Sequence, residues 1–482
     1  MMKNNLIEKL LYVYIIIPII IFLYFWCKPI ISLPLIIMLC LVFYKDFRFE
    51  KDDIIKIKNY FIDNYKEFFI LLLLIIIITL ISGLGGYFWQ NDDHLYRNGI
   101  FETLVNNGWP ITMAHGGNFT SKVIFVYYFA FWLPAASVGK LFGINFGYFV
   151  LMLWTVIGLC LLFQMLKKHS KKSIIYIFIV FFLFSGLDII EKFVYGNNLL
   201  NLISMHYHIE WLGYIQYSSF TTQLFWVFNQ ALPAWLITLY VINQKHNNCI
   251  GIIVATSLLY CTLPAIAIAI LTIYKICENY FVTYKNEIKP INTWIKNTFT
   301  WENVIVALPL LIILALFVKS NSSGGYITFG LTDNIDKYFI SIIFEFIIYY
   351  VLIIKYQYKN PLLYISLIIL LVCPFVSVNH AYDFCMRVSI PALIVLFCMI
   401  LETIDLLEEK NDKFVLIIFY LIFLIGSVTP INEISRTIKN SDNIFQQDNK
   451  AIDLITSPCQ TNFFGTAEES TFYKFFMKKR LY

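Results

Sequence analysis

Long apolar segments recur along the chain and restrict its fold more than any other feature. As helices, thirteen of them can enter a hydrocarbon layer roughly 30 Å thick. They lie at residues 10–27, 30–44, 67–88, 122–142, 144–166, 173–187, 219–242, 249–275, 301–318, 338–354, 361–378, 388–402 and 413–430. A lipid-exposed backbone must satisfy its own hydrogen bonds, and the alternating pattern of barrel strands is absent, so each segment is predicted to be helical.

The composition excludes a water-soluble fold. Of 482 residues, 59% are hydrophobic and 14% are charged, whereas soluble domains have about 45–50% apolar and about 25% charged residues. The formal charge of +5 is small and dispersed, so nucleic acid is not an expected partner. The ten cysteines have neither paired metal-ligand spacing nor a disulfide pattern. The prediction is an all-α polytopic membrane protein with about 11–13 transmembrane or membrane-embedded helices.

Lysine and arginine predict the orientation, because they concentrate in cytoplasmic loops. The N-terminus and residues 45–66, 167–172, 243–248, 275–300, 355–360 and 403–413 are assigned to the cytoplasm. Residues 89–122, 188–218, 319–337 and 379–387 are assigned to the outside. The first set holds 21 Lys and Arg residues and the second holds 6.

Strict alternation of crossings does not give this arrangement. Residues 167–172 would face outward and residues 188–218 inward if every apolar segment crossed once. We therefore expect one of the segments 122–142 and 144–166 not to span fully. We also expect segment 249–275, interrupted at Pro264, to form two short helices or a re-entrant turn, because irregular backbone is tolerated inside a protein-lined site. Residues 1–430 then form the membrane domain with its outward loop 89–122, and residues 431–482 form a small outward appendage.

Residues 90–102 carry the most informative polar pattern. Asp92 and Asp93 stand side by side at a membrane boundary, where adjacent carboxylates need water, a cation or a basic partner. From His94 onward the sequence predicts an interfacial helix, and the four-residue spacing allows Asp93 to pair with Arg97. The segment is either a solvated acidic loop or a site where a carboxylate takes a proton from an acceptor hydroxyl.

An Asp-Asp pair in a long outward loop after an early membrane helix resembles the GT-C superfamily of membrane glycosyltransferases. The resemblance implies a GT-C-like helical bundle and a polyprenyl-phosphate-linked sugar as donor. It also implies a catalytic base at Asp93 or Asp92. With that base, we expect Arg97 and His94 to orient the acceptor. Two additional helices, 10–27 and 30–44, precede the motif-bearing helix, which departs from the simplest layout of that superfamily.

Further polar stretches are similar to those of bacterial GT-C-like integral membrane proteins without an assigned reaction. His206, His208 and Glu210 are interpreted as interface hydrogen-bonding groups, substrate contacts or, with a divalent cation, metal ligands. Asn229 and Gln230 lie within an apolar helix. They either make helix–helix hydrogen bonds or line a polar cavity.

His380, Asp383 and Arg387 form the third candidate group. Asp383 and Arg387 are four residues apart, so a local ion pair is one interpretation. The functional interpretation assigns Arg387, or a protonated His380, to the donor phosphate, because a fixed cation stabilises the charge of the leaving group. Asp383 completes the predicted substrate-binding set.

The sequence has no phosphate-binding, dinucleotide-binding or metalloprotease motif, which disfavours a nucleotide-sugar donor. We therefore expect a membrane glycosyltransferase without a cofactor, acting at the outer face of a bacterial cytoplasmic membrane. Its expected partners are a polyprenyl-phosphate-linked sugar, the bilayer, and a glycan, lipid or protein acceptor. The alternatives are a transporter or flippase of a lipid-linked glycan, and a glycan polymerase or ligase.

Overall fold

The computed structural model describes residues 6–114, 117, 119–194, 196, 208–210, 215–285, 289–321, 326–331, 334–378, 383–442 and 444–479. These residues form an almost entirely helical bundle with a few short strands. The helices are α1 Leu6–Trp26, α2 Pro29–Val42, α3 Lys51–Ile81, α4 Asp92–Asn106, α5 Leu133–Phe142, α6 Ile144–Leu166, α7 Ile174–Leu183, α8 Asp188–Val194, α9 Phe220–Asn243, α10 Ile250–Tyr260, α11 Pro264–Asn279, α12 Pro290–Thr298, α13 Leu308–Lys319, α14 Ile335–Ile342, α15 Ile348–Gln357, α16 Pro361–Val372, α17 Asp383–Glu409, α18 Lys413–Gly426, α19 Val428–Lys439 and α20 Thr471–Phe475.

The apolar helices confirm the predicted class, an all-α polytopic membrane protein. Within the described residues, eleven helical stretches are long and apolar enough to cross a membrane. They are Leu6–Trp26, Pro29–Phe47, Asp63–Ile81, Ile144–His169, Ile174–Val194, Phe220–Asn243, Pro264–Thr283, Pro290–Lys319, Ile335–Gln357, Asp383–Glu409 and Lys413–Lys439. The stretches Phe220–Asn243 and Asp383–Glu409 are the most deeply enclosed, so they form the centre of the bundle.

The basic segments meet at one end of the bundle, which we call the basic end. Ion pairs join them there: Lys9–Asp53, Lys168–Glu8, Lys172–Glu408 and Lys355–Asp412. The acidic pair of α4 lies at the opposite end, which we call the site end. This separation agrees with the distribution of basic residues used to predict the orientation.

Two segments depart from a simple crossing, as predicted. Helices α10 and α11 are two short helices separated at Cys261–Leu263, and Asn279 Nδ2 at the end of α11 donates to Asn247 Oδ1 just before α10, at 2.7 Å. The pair therefore enters and leaves at the basic end. Helix α5 has ten residues, about 15 Å of helix, and it folds back on α6, where Gly139 packs against Gly147.

The prediction of helix throughout 122–142 and 361–378 is wrong. Five strands occur in the described residues: β1 Thr112–Met113, β2 Val123–Phe125, β3 Ile327–Phe329, β4 Val376–Val378 and β5 Phe464–Thr466. Strand β2 lies between β1 and β5, and β3 pairs with β4, all antiparallel. These strands lie at the site end, where pairing partners satisfy their backbone groups and helix is not required.

The C-terminal segment covers the site end. Helix α19 continues to Lys439, so the chain leaves the bundle near residue 440, compared with the predicted boundary of 431. Beyond the β2–β5 pairing, backbone hydrogen bonds attach it to the N-terminal half: Lys28 N to Phe476 O at 2.8 Å, Lys478 N to Trp26 O at 2.8 Å and Ile452 N to Leu95 O at 3.2 Å. The appendage therefore forms part of the surroundings of α4.

Candidate functional site

Helix α4 begins at the acidic pair. Asn91 is its N-cap residue and Asp92 and Asp93 form its first turn, where carboxylates interact favourably with the helix dipole. Adjacent residues on an α-helix point about 100° apart. Asp92 and Asp93 therefore face different surroundings, and only Asp93 lines the cavity described below.

A kink in α9 fixes α4 in place. Val227 has φ −135° and ψ 36°, which interrupts the helical hydrogen bonds and leaves the carbonyl oxygens before it available. Phe225 O accepts from Asn91 Nδ2 at 3.0 Å and lies 3.1 Å from His94 Nε2. Trp226 O accepts from Arg97 Nε at 3.0 Å. The side chains of Asn91, His94 and Arg97, on one face at the start of α4, thus make hydrogen bonds to the carbonyl groups that the kink in α9 leaves available.

His94 supports the site from behind. It is buried, and its Nε2 lies 3.1 Å from both Ser82 O and Phe225 O. Two carbonyl acceptors require a proton on Nε2. Burial, and then the neighbouring Arg97 guanidinium, lower the pKa of His94 to about 4. His94 is therefore a neutral donor that holds α4 to α9, and it does not line the cavity.

Asp93 and Arg97 form the ion pair expected from their spacing. Arg97 Nη2 donates to Asp93 Oδ2 at 2.7 Å; the Asp93 side chain is 39% exposed and that of Arg97 5%. Burial acts to lower the pKa of Arg97, but Asp93 raises it above its ordinary value. The buried guanidinium, held by Trp226 O, therefore orients a carboxylate that still reaches the cavity.

Arg387 approaches the same cavity from α17. Its Nη2 pairs with Asp383 Oδ1 at 3.0 Å, and its Nη1 donates to the Tyr128 hydroxyl at 3.2 Å. Tyr128 also accepts from Gln230 Nε2 at 3.3 Å and from Tyr127 at 2.7 Å. The buried Arg387 Nε has no hydrogen-bond partner among the described residues. A guanidinium with an unused donor is suited to an anionic ligand.

Asp93, Arg97 and Arg387 line one cavity of 410 Å³, which we call the arginine cavity. Further polar groups come from Tyr127, Tyr128, Asn321 and Asn462. Apolar residues form another part of its lining: Val126, Leu263, Val318, Val378 and Phe463. Leu263 belongs to the turn between α10 and α11, so the re-entrant pair reaches the site end. The cavity combines two cations, the two carboxylates of Asp93 and Asp383, and an apolar wall.

His208 lines a smaller adjoining cavity of 120 Å³, which shares Asp93, Asp383 and Arg387 with the arginine cavity. Its Nδ1 lies 2.6 Å from Glu433 Oε1, and its Nε2 lies 3.8 Å from Glu210 Oε2. Thus residues 93, 208 and 387, which were singled out separately in the sequence, lie around one site.

Glu433 and Arg436 of α19 belong to this site, although no pattern in the sequence indicated either residue. Glu433 Oε2 accepts from Arg436 Nη2 at 2.8 Å and from Trp226 Nε1 at 3.2 Å. Arg436 lies over the Trp226 ring, 5.4 Å from its centroid. Glu433 is 225 residues from His208, so no local spacing indicates their contact.

Glu210 is buried and serves as a hydrogen-bond acceptor. Its Oε1 accepts from Ser219 N at 2.9 Å and from Thr222 Oγ1 at 2.6 Å. Burial raises the pKa of Glu210 to about 7, although His208 opposes the change. Glu210 therefore caps the start of α9 and lies behind His208.

The other predicted residues have distinct positions. Asn229 is fully buried, and neither atom of its amide has a partner among the described residues. Gln230 is also buried, and within the described residues its amide donates to Tyr128 alone. His206 and His380 lie outside the described residues, so their predicted roles remain predictions.

A group of candidate metal ligands occurs elsewhere in the described residues. Within the described part of the chain, only Asp46, Cys249 and Glu302 have ligand atoms within 4.8 Å of one another. They lie at the basic end, where Lys45 pairs with Glu302 and lies 4.0 Å from Asp46. The lysine provides the compensating charge, so this group is explained without an ion.

Comparisons of the chain with protein-family models, with curated proteins and with solved structures find no match.

Proposed function

We propose that this protein is a membrane glycosyltransferase that moves a sugar from a polyprenyl-phosphate donor to an acceptor at the extracytoplasmic face. One observation carries the proposal. Asp93, His208 and Arg387 come from distant parts of the chain, and they line adjoining cavities at the site end. Their grouping supports the proposal, because it brings the expected base and the expected phosphate-binding cation to one place in the fold.

The proposed reaction uses Asp93 as general base and Arg387 as the phosphate-binding cation. Asp93 takes the proton of an acceptor hydroxyl as its oxygen attacks the anomeric carbon from the face opposite the phosphate. The bond from that carbon to the phosphate oxygen breaks, and polyprenyl phosphate leaves with the bonding electrons. Arg387 stabilises the negative charge that develops on the phosphate. The configuration at the anomeric carbon is inverted.

The apolar wall supports a lipid-linked donor. Leu263, Val318 and Val378 line the arginine cavity beside the two arginines, and Val318 lies in a helical stretch apolar enough to span a membrane. A prenyl chain fits such surroundings, since burying each of its methylene groups is favourable by about 0.8 kcal/mol. The outward orientation of the cavity is part of the proposal and rests on the position of the basic residues.

A transporter of a lipid-linked glycan is the second candidate, because buried carboxylates lie near the site. Asp188 accepts from Ser185 and Thr429, each at 2.9 Å, while its Oδ1 has no partner among the described residues. Glu191 and Glu345 are buried nearby. Ionisable groups inside a membrane bundle often belong to ion pathways. A glycan polymerase or ligase, which would also act on lipid-linked sugars, is the third candidate.

A matched set of variants on α4 tests the proposed base. Membranes containing Asp93→Asn, Asp92→Asn or Glu102→Gln are supplied with radiolabelled polyprenyl-phosphate hexoses and N-acetylhexosamines, with cell-envelope material as acceptor. We expect Asp93→Asn to lower kcat by about 10²–10⁴-fold, while Asp92→Asn keeps kcat within about tenfold. Glu102→Gln controls for loss of an acidic residue from the same helix.

Full transfer by Asp93→Asn would exclude the proposed base. Mass spectrometry of lipid-linked glycans from a deletion strain separates the alternative functions. A transferase predicts a product lacking one sugar, a polymerase or ligase predicts a changed chain length or attachment, and a transporter predicts an unchanged lipid-linked glycan on the wrong side of the membrane.

A further inference from the structure

A second cavity lies on the other side of the acidic pair. It has a volume of 530 Å³, within the range of roughly 300–1,000 Å³ that is usual for small-molecule sites, and we call it the amide cavity. Its walls come from residues 86–95 and, in the C-terminal segment, from residues 440–442 and 446–450. The lining includes Trp89, Asn91, Asp92, Asn440, Gln446 and Gln447.

Hydrogen bonds between the two segments hold the amide cavity open in a defined shape. Phe445 N donates to Tyr87 O at 2.9 Å, and Asp448 N donates to Gly86 O at 3.1 Å. Trp89 N donates to Ser441 Oγ at 2.7 Å. Because these contacts join both walls, the cavity requires little ordering when a ligand binds.

Two polar atoms in the cavity wall lack partners within the described part of the chain. Asn91 is 6% exposed; its Nδ2 donates to Phe225 O, whereas its Oδ1 is buried without a donor. Gln447 Nε2 is a buried donor without an acceptor. An unsatisfied buried polar group costs about 1–3 kcal/mol. A hydroxyl group both donates and accepts, so a ligand with several hydroxyls satisfies both types of atom.

The charges of the amide cavity select among hydroxyl-bearing ligands. Among the described residues, its lining has three carboxylates, Asp92, Asp442 and Asp448, and one basic residue, Lys450. Phosphorylated, sulfated and uronic-acid ligands are therefore disfavoured, and neutral or amino-bearing ligands are favoured. Among the described residues, these three carboxylates are not a group whose ligand atoms lie close enough together to share a metal ion.

We propose that the amide cavity is a saccharide-binding site for a neutral or amino-bearing glycan. Carboxylates and side-chain amides bind the sugar hydroxyls, and Phe88 and Trp89 supply apolar surface for the C–H faces of the rings. Asp92 belongs to this site, which gives the two adjacent aspartates separate roles.

The position of the amide cavity relative to Asp93 suggests what the bound glycan does. Asp92 lines the amide cavity and Asp93, the next residue of α4, lines the arginine cavity. A glycan in the first cavity extends toward the second, where its terminal hydroxyl meets the base. That the glycan is the transfer acceptor rests on the proposed function, whereas the saccharide class rests on the amide cavity alone.

Binding to the full-length protein in lipid nanodiscs tests the site. Calorimetry uses maltotetraose, cellotetraose, the tetramers of N-acetylglucosamine and of glucosamine, and tetragalacturonate as probes. We expect at least one neutral or amino-bearing tetrasaccharide to bind and tetragalacturonate not to bind. The double variant Gln446→Ala/Gln447→Ala should weaken binding at least tenfold. The exposed pair Glu468→Ala/Glu469→Ala, on the same appendage but outside the cavity, should retain it.

The proposal is overturned if no neutral or amino-bearing probe binds, if tetragalacturonate binds more tightly, or if both double variants bind equally. Arg387→Ala distinguishes this proposal from the proposed function. That variant should lose transfer but keep saccharide binding, because Arg387 lies outside the amide cavity. Saccharide binding by a protein without transferase activity would support the site and reject only the acceptor role.

Discussion

Replacing Arg387 gives the sharpest test of phosphate binding. Its two Nη atoms contact Asp383 and Tyr128, while its buried Nε has no partner among the described residues. Two unit charges 4 Å apart interact by about 4 kcal/mol at an effective dielectric constant near 20. The side chain of Asp383 is 53% exposed, so we expect it to cancel less than half of the attraction between Arg387 and the donor phosphate. A net loss of about 2–3 kcal/mol in Arg387→Ala corresponds to roughly 30–150-fold slower transfer.

The companion variants separate this role from a structural one. Arg387→Lys retains the charge but not the fork geometry, so we expect about a tenfold loss. Asp383→Asn removes the competing carboxylate and leaves the guanidinium, so we expect transfer within about threefold of wild type. Initial rates are measured in proteoliposomes against donor concentration, with thermal unfolding as a control for folding.

Two results would refute this reasoning. Transfer by Arg387→Ala within threefold of wild type would mean that no developing charge depends on Arg387. Equal losses in Arg387→Ala and Asp383→Asn would mean that the ion pair acts only by stabilising the start of α17.

Three further predictions concern stability and orientation. The neutral form of His94 is favoured in the folded protein, so the free energy of unfolding should fall by up to about 3 kcal/mol as pH drops from 6.5 toward 4; His94→Gln should flatten this decline, and equal pH profiles would contradict it. A cysteine at Glu468 should react with an impermeant maleimide in intact cells, and one at Lys359 only after permeabilisation; the opposite pattern would reverse the orientation. Gly186→Ala should lower the melting temperature in lipid nanodiscs, because the added Cβ would lie 2.2 Å from Glu345 Oε2; an unchanged melting temperature would contradict this close approach.

The membrane helices could be predicted because length and apolarity suffice to identify a span. The same criterion failed at β2, since a short apolar run does not distinguish strand from helix. Strand β2 pairs with the nearby β1 and also with β5, about 340 residues later, where Val123 pairs with Thr466. No local pattern in the sequence predicts a contact between residues so far apart along the chain.

The site was predictable where its contacts are local. The pairs Asp93–Arg97 and Asp383–Arg387 follow from four-residue spacing. Glu433 was not predictable, because it contacts His208 through the tertiary fold. The kink at Val227 was not predictable either, since Val227 itself is neither glycine nor proline.

Adjacent aspartates show why the start of a helix matters to the chemistry. The sequence left Asp92 and Asp93 as alternative bases, and it predicted the helix from His94. Because α4 already begins at Asp92, both side chains take helical directions and diverge. Their separation into two cavities depends on that two-residue difference and on the contact of α4 with the C-terminal segment.

Cryo-electron microscopy of the protein in nanodiscs containing polyprenyl phosphate tests directly whether the arginine cavity binds the lipid phosphate of the donor. We predict phosphate density within hydrogen-bond distance of Arg387 and the prenyl chain against Leu263 and Val318. A 1320 Å³ groove between α1, α3 and α6 lies at the basic end, beside Lys168. Phosphate density in that groove, with none in the arginine cavity, would contradict the proposed donor site.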